Sequence, residues 1–331
     1  MRVLDGVYQI KSPGPRDSSL PTNVYAIEGG DGHILVDCGW DTQESLWMIQ
    51  EGVRVSGLKL RDIKQVVITH IHPDHYGLSA KVKQICGAHV AIHRADAGLI
   101  STRYKDFAEL VEKTEQMLGQ NGVPQGELSE LRDASLWMNK YVTPNPPDVM
   151  LEDGDTVSND SFKFKVLWTP GHSPGHICLY EQEKKFILTG DHVLFETTPH
   201  VGFNPISGDN PLGDYVSSLK KLQDLKVRFV LPGHGPTFNA LGLRVEGILK
   251  HHEERKKAIV KTLRDGTKTA YDIAQEIPWM VRGGSVSFRD LPVWDRRMAV
   301  TETIAHLKLL TAEDRVSNVA MDGASLYIAK D

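Results

Sequence analysis

The chain has 331 residues, 40% hydrophobic and 24% charged, with a formal charge of -5 and a pI near 6.3. That length exceeds the ~100–200 residues of a typical domain, so one large domain with a smaller appendage is expected, and the composition excludes a chain too polar to build a core. The slightly acidic balance gives no general pull toward nucleic acid or an anionic membrane, and no segment approaches the ~18 apolar residues of a membrane span. Cys38, Cys86 and Cys178 are an odd number without framework spacing. Together with an N-terminal stretch that has no apolar run of signal-peptide length, they lead to the expectation of a reducing, cytoplasmic setting.

In chain order, apolar runs at residues 6–10, 23–27 and 33–37, joined by breakers such as GGDG, predict hairpin-connected strands. Helical spacing over 42–56 and 78–86 predicts two helices, the second stopped by Gly87. Between them QVVIT (65–69) reads as a buried strand that runs into THIHPDHYG (69–77), three histidines and an aspartate within six positions. Such a strand-to-helix passage is where α/β enzymes commonly place chemistry. Residues 94–141 carry mixed charge, with Met117, Leu118, Leu131 and Met138 at helical intervals and a breaker at GQNGVPQG, and read as a helical insertion. After the Pro-rich TPNPPDV, strands at 162–168, 177–180 and 185–190, a helix at 212–225 and a strand at 226–232 predict a sheet-on-sheet core flanked by helices. Beyond about residue 240 the pattern predicts two or three short helices and a terminal hairpin, which resembles a winged helix.

Three further apolar runs end on a metal-capable residue beside glycine: TPGHSPGH presents His172, LTGDH presents Asp191 and VLPGHGP presents His234. Glycine lets the backbone turn sharply and approach an ion closely. With His70, His72, Asp74 and His75 these make seven candidate ligands. They are enough for two adjacent divalent ions that share a carboxylate and keep a position open for water. Zinc is the first expectation, and iron or manganese accept the same donors.

In this order, THIHPDHYG, TPGHSPGH, LTGD and LPGHG resemble the metal motifs of the metallo-β-lactamase fold superfamily. The resemblance covers residues 1–240 and implies an α+β fold, the αββα sandwich, interrupted by the 94–141 insertion and followed by a winged-helix-like domain at 241–331. It implies that His70, His72 and His172 hold one ion, that Asp74, His75 and His234 hold the other, and that Asp191 bridges them. Asp37, in ILVDCG, would support the metal loop from behind. The chemistry this leads to is hydrolysis by a metal-activated water, with Asp74 as candidate general base. Tyr76 and His200 are candidate substrate-binding residues. His176 and His192, adjacent to the motifs, read as support or packing. Cys86 and Cys178 read as packing residues rather than nucleophiles.

The overall pattern most resembles the LACTB2-like hydrolase branch, part of which cleaves single-stranded RNA. Two functions are therefore expected in competition: hydrolysis of a small-molecule ester, thioester or lactone, and endonucleolytic cleavage of RNA. Between residues 267 and 331, eight basic side chains face nine acidic ones. That leaves no excess for phosphate contacts, so the small-molecule reading leads and a nucleic-acid partner is disfavoured. The C-terminal segment is expected to close the pocket or to form a homodimer surface. Trp279, Met280 and Trp294 read as its core, and the insertion reads as a cap.

Overall fold

The structure is a computed structural model that describes residues 1–15, 20–281, 284–321 and 323–330; the side chains of 131–137, Leu131 among them, and of 281 lie outside the described residues. Seven strands form the first sheet in sequence order: β1 (Arg2–Leu4), β2 (Val7–Ser12), β3 (Thr22–Ile27), β4 (His33–Val36), β5 (Ile63–Ile68), β6 (His89–His93) and β7 (Val149–Leu151). Its first four strands pair antiparallel and the rest pair in parallel. The second sheet contains β8 (Thr156–Ser158), β9 (Lys163–Trp168), β10 (Ile177–Glu181), β11 (Phe186–Gly190) and β12 (Phe229–Pro232) in the order β12-β11-β10-β9-β8, with only the β11–β12 pair parallel. Two hairpins follow, β13 (Trp279–Val281) with β14 (Gly284–Val286) and β15 (Val316–Met321) with β16 (Ala324–Ala329).

The helices are α1 (Gln43–Val55), α2 (Pro73–Tyr76), α3 (Ser79–Cys86), α4 (Arg94–Ala97), α5 (Phe107–Gln120), α6 (Gln125–Asn139), α7 (Pro211–Gln223), α8 (Leu241–Thr262), α9 (Ala270–Glu276) and α10 (Val293–Ala312). The caps follow from the sequence. Thr42 accepts the Ser45 N–H at the start of α1, and Gly87, at φ 69°, closes α3 in the left-handed conformation that disfavours other residues.

Alternation along β3 shows how the layers form. Val24 and Ala26 point to one side, into a core completed by Ile49 and Val53 of α1 and Val82 of α3. Tyr25 and Ile27 point to the other, where they meet Phe164, Val166, Leu179 and Leu188 of the second sheet. The far face of that sheet, through Cys178, Ile187 and Val230, packs on Leu219 of α7 and Val245 and Ile248 of α8. The order helix, sheet, sheet, helix is the αββα sandwich.

A fourth core joins Leu118 of α5 and Leu128 of α6 to Ile273 of α9, Ile304 and Leu307 of α10 and Tyr327 of β16. The insertion and the C-terminal helices therefore share one interior. Helix α8 carries Val245 into the sandwich and Ile259 into this fourth core, so the chain passes residue 240 without a break between hydrophobic interiors. In place of short helices, α10 runs 20 residues. It buries Ile304 and Leu310 in the fourth core and Ala305 and Leu309 against the sandwich, which leaves no single apolar stripe to read in the sequence. No helix among the described residues is long and apolar enough to cross a membrane.

Candidate metal centre

Five strands of the two sheets end at one place. Asp37 follows β4, His70 and His72 follow β5, His172 lies beyond β9, Asp191 follows β11 and His234 lies beyond β12. Helix α2 begins immediately after His72, with Pro73 at its first position, and so turns Asp74 and His75 back toward the strand ends. Asp37 adopts φ 61°, a left-handed conformation that aspartate tolerates better than most residues. Its buried carboxylate accepts the Thr69 N–H at 2.8 Å and the Thr69 hydroxyl at 2.9 Å, and receives His75 Nδ1–H at 2.8 Å. Gly233 allows the close approach of two of these segments, because a Cβ there would collide with Asp191 Oδ1.

Four of the five imidazoles, His70, His75, His172 and His234, are held from behind, so that each presents its other nitrogen to the centre. Since the Thr69 hydroxyl donates to Asp37, its oxygen accepts His70 Nδ1–H at 3.1 Å. His172 Nδ1–H donates to the His200 carbonyl at 2.8 Å, and His234 Nδ1–H to the Pro21 carbonyl at 3.1 Å. Such contacts fix the tautomer and aim the Nε2 lone pair, as in metal-bound histidines. His70 Nε2 and His72 Nδ1 stand 2.9 Å apart. Two acceptors keep that separation only with a proton or a cation between them.

Three groupings of donor atoms, each within 4.8 Å, result: His70, His72 and His172; His70, His75 and Asp191; and Asp74, His75 and His234. All seven sequence candidates are thus brought together. His75 Nε2, His172 Nε2 and Asp191 Oδ1 are buried without a hydrogen-bond partner among the described residues. Orphaned polar atoms are costly, and here they converge on one point where a cation would satisfy them. The residues present fit divalent metal: a hydrogen-bonded cradle of five imidazoles and two carboxylates suits zinc, iron(II) or manganese(II).

Electrostatics agree. Burial, followed by the neighbouring imidazoles, pushes His70 and His72 well below the ordinary histidine range, so both are neutral and available as ligands. Burial alone would raise Asp74 and Asp191, but His75 and His234 hold both carboxyls well below their usual range. His234 shows the reverse. Burial would lower it, and Asp191 and Asp74 nevertheless raise it to about 10, in keeping with the negative charge of the two carboxylates beside it.

Two supports escaped the sequence reading. Asp96, on α4, is fully buried; its Oδ2 accepts the Ile71 N–H and the Ser173 hydroxyl, and its Oδ1 accepts the Gly175 N–H. It therefore ties the β5 loop to the β9 loop. Its signal was its place three residues past the end of β6. Thr22, at the start of β3, lies 3.4 Å from Asp74 Oδ2. His176 is a support as well: it accepts the Asp191 N–H at Nε2 and donates from Nδ1 to Thr169.

The cradle floors a cavity of about 520 Å³. His72, Asp74, His172 and Asp191 form its base, the insertion supplies Phe107, Leu110 and Val111, and α10 supplies Trp294, Arg297 and Met298. The insertion caps the site, as expected. His200 lines the cavity, as expected. Tyr76 does not, and its expected role is corrected: the ring is buried and stacked on Tyr104, and its hydroxyl is used up by the Asn145 backbone, at 2.6 and 2.8 Å. The residue next to His75 faces inward because α2 is one turn long and presents its opposite side to the core. Trp279 is core, as expected, whereas Met280 is exposed and Trp294 faces the cavity.

The comparisons with known proteins agree with this geometry. Residues 18–234 match the metallo-beta-lactamase superfamily. The chain belongs to that superfamily, and it is a hydrolase of it. Among its relatives, the beta-lactamase-like protein 2 homolog of Caenorhabditis elegans is 26% identical over 85% of this chain and 80% of its own. The acyl-coenzyme A thioesterase MBLAC2 of Homo sapiens is 26% identical over 71% of this chain and 80% of its own. The crystal structure of a metallo-beta-lactamase family protein from Thermus thermophilus superposes with a TM-score of 0.82 at 28% identity, covering 99% of this chain and 100% of the other. The similarity therefore includes the C-terminal helices as well as the sandwich.

Proposed function

We infer that the protein hydrolyses a small-molecule acyl ester, thioester or lactone with water activated at a dinuclear metal centre. The observation that carries this reading is the combination of the donor cradle with the walled, largely apolar cavity above it. A chamber of about 520 Å³ has the size of a small-molecule site, whereas single-stranded nucleic acid is usually held in an open basic groove with stacking platforms. That a human relative is named as an acyl-coenzyme A thioesterase supports the acyl substrate.

His70, His72 and His172 would hold one ion, Asp74, His75 and His234 the second, with Asp191 between them. Divalent ions there would lower the pKa of a bound water and polarise the acyl carbonyl. The chain's own groups do the rest. Asp74 faces the cavity as a carboxylate and takes the proton of the attacking water. His200 borders the acyl group from the loop ahead of α7, and the apolar wall excludes bulk water.

The test is metal analysis of the purified protein followed by one panel of acyl-coenzyme A thioesters, lactones, phosphodiesters and short RNA. Metal-dependent turnover of an acyl compound is expected. RNA turnover exceeding every ester would replace this reading by the endonuclease alternative.

A further inference from the structure

Arg103 and Arg297 are far apart in sequence, yet both line the cavity above the cradle. Arg103 sits on the short helical turn Ser101–Lys105 that precedes α5, and Arg297 on the opening turns of α10. Neither guanidinium forms an ion pair with a described residue. Their neighbours differ in this respect: Arg255 lies 3.6 Å from Glu302, Arg296 lies 3.5 Å from Glu127, and Arg244 donates to two carbonyls at 2.6 and 2.7 Å. Both arginines lie against aromatic rings, and Arg103 also reaches the Tyr104 hydroxyl. Arg297 lies 5.0 Å from the Trp294 ring centre and Arg103 5.9 Å from that of Tyr104.

The two charges also feel each other. Burial, and after it the like charge of Arg103, push Arg297 down to about 10, and the charge of Arg103 acts on His72 as well. Two cations facing one water-poor space without a partner are costly to maintain. Of the carboxylates that line the cavity, Asp74 and Asp191 are already engaged by the cradle histidines, and the third is Glu115. Neither guanidinium forms an ion pair with any of these three carboxylates among the described residues.

We propose that Arg103 and Arg297 form a receptor for an anionic group of the substrate, so that the preferred substrate is an acyl ester or thioester carrying a carboxylate or phosphate besides a hydrocarbon segment. This rests on the acyl-hydrolase reading above and specifies its substrate class. The planar forks of the arginines match a carboxylate or phosphate in pairs of hydrogen bonds, while Phe107, Leu110, Val111 and Leu118 offer the hydrocarbon its wall. The anion belongs either to the far end of the acyl chain or to the thiol carrier.

The metal-loaded full chain is assayed with two matched pairs: the N-acetylcysteamine thioesters of octanoic and octanedioic acid, and the octanoyl thioesters of pantetheine and 4′-phosphopantetheine. The pair that responds identifies the source of the anion. In at least one pair the anionic member should be favoured about tenfold or more in kcat/KM. That preference should fall toward one in R103Q and in R297Q, mainly through KM, with R297K intermediate. A wild-type ratio near one in both pairs, or a ratio that survives both substitutions, overturns the receptor and leaves the hydrolase reading standing. If no thioester is turned over, the thioester form of the acyl-hydrolase reading fails separately, and calorimetric titration with octanedioate and with octanediol decides the receptor. Octanedioate should then bind in preference to the diol and weaken about tenfold in R103Q and R297Q; equal binding by all three proteins overturns it.

Discussion

The floor and the wall of the cavity are built on different principles. The floor is made of strand ends from two sheets, with His70, His75, His172 and His234 braced from behind by a hydroxyl, a carboxylate or a carbonyl, and its buried atoms lack only a cation. The wall is made of helices, α5 and α10 above all, whose side chains divide between the cavity and a separate hydrophobic core. The floor can hardly vary without losing its ion, whereas the wall can change its lining as long as the core behind it remains filled. Reaction type should therefore reside in the first and substrate choice in the second.

Substitutions in the floor should have the largest effect. His72→Ala or His172→Ala removes a donor from the same grouping and should lower both metal content and hydrolysis, the latter on the order of a thousandfold, because unactivated water has a pKa of about 15.7. Full turnover by metal-depleted variants would sink the proposed chemistry. In the wall, Leu118 is 1% exposed and packs where the insertion meets the C-terminal helices. Leu118→Ala should destabilise the fold by about 2–5 kcal/mol in denaturant titrations while leaving metal content unchanged. Loss of metal in that variant would mean that floor and wall are not separable.

The same division decides what could be read in the sequence. Each ligand stands within a few residues of a recognisable strand, so the motifs that resemble a known family carried the whole cradle, and Asp37 with it. The strands were found where apolar runs were long, as in β3, β5 and β10. They were missed where pairing is brief: β7 and β8 span three residues each. The wall was illegible for another reason. Nothing local brings Arg103 to Arg297, since their meeting depends on how α5 and α10 share a core. Tyr76 failed in the opposite way: proximity in sequence to His75 was a poor guide to proximity to the cavity, because a helical turn separates the two directions.

The C-terminal core should also register pH. His306 Nδ1–H donates to the Glu302 carbonyl at 2.9 Å, and Nε2 lies 3.1 Å from His252 Nδ1. Burial is the main cause that lowers His306 to about 4. As pH falls below the ordinary histidine value of about 6.5, the unfolded chain takes up this proton and the folded chain does not until about pH 4. Stability is thus intact above 6.5 and is lost progressively down to 4, on the order of 3 kcal/mol at most from this residue. Thermal midpoints of wild type and His306→Gln should converge or cross as pH falls through that window. A difference independent of pH would show that His306 is protonated equally in both states.

The smallest effect, and the most local, is expected at Asp37. Asparagine tolerates the same left-handed backbone and keeps an oxygen for Thr69, so Asp37→Asn should fold. It cannot accept on both sides. If its oxygen stays with the Thr69 N–H, its amide N–H meets His75 Nδ1, which must then become the acceptor and carry its proton on Nε2, the nitrogen that belongs to the cradle. His75 would present a proton where a lone pair is needed. Loss of a support of this kind weakens metal binding by about 10–100-fold. Competition against a chelator should show that loss, concentrated in the grouping formed by Asp74, His75 and His234, with the His70, His72 and His172 grouping less affected. Equal loss at both would mean that Asp37 braces the whole loop through Thr69 and His70, and unchanged affinity would mean that the tautomer of His75 is set by the ion itself.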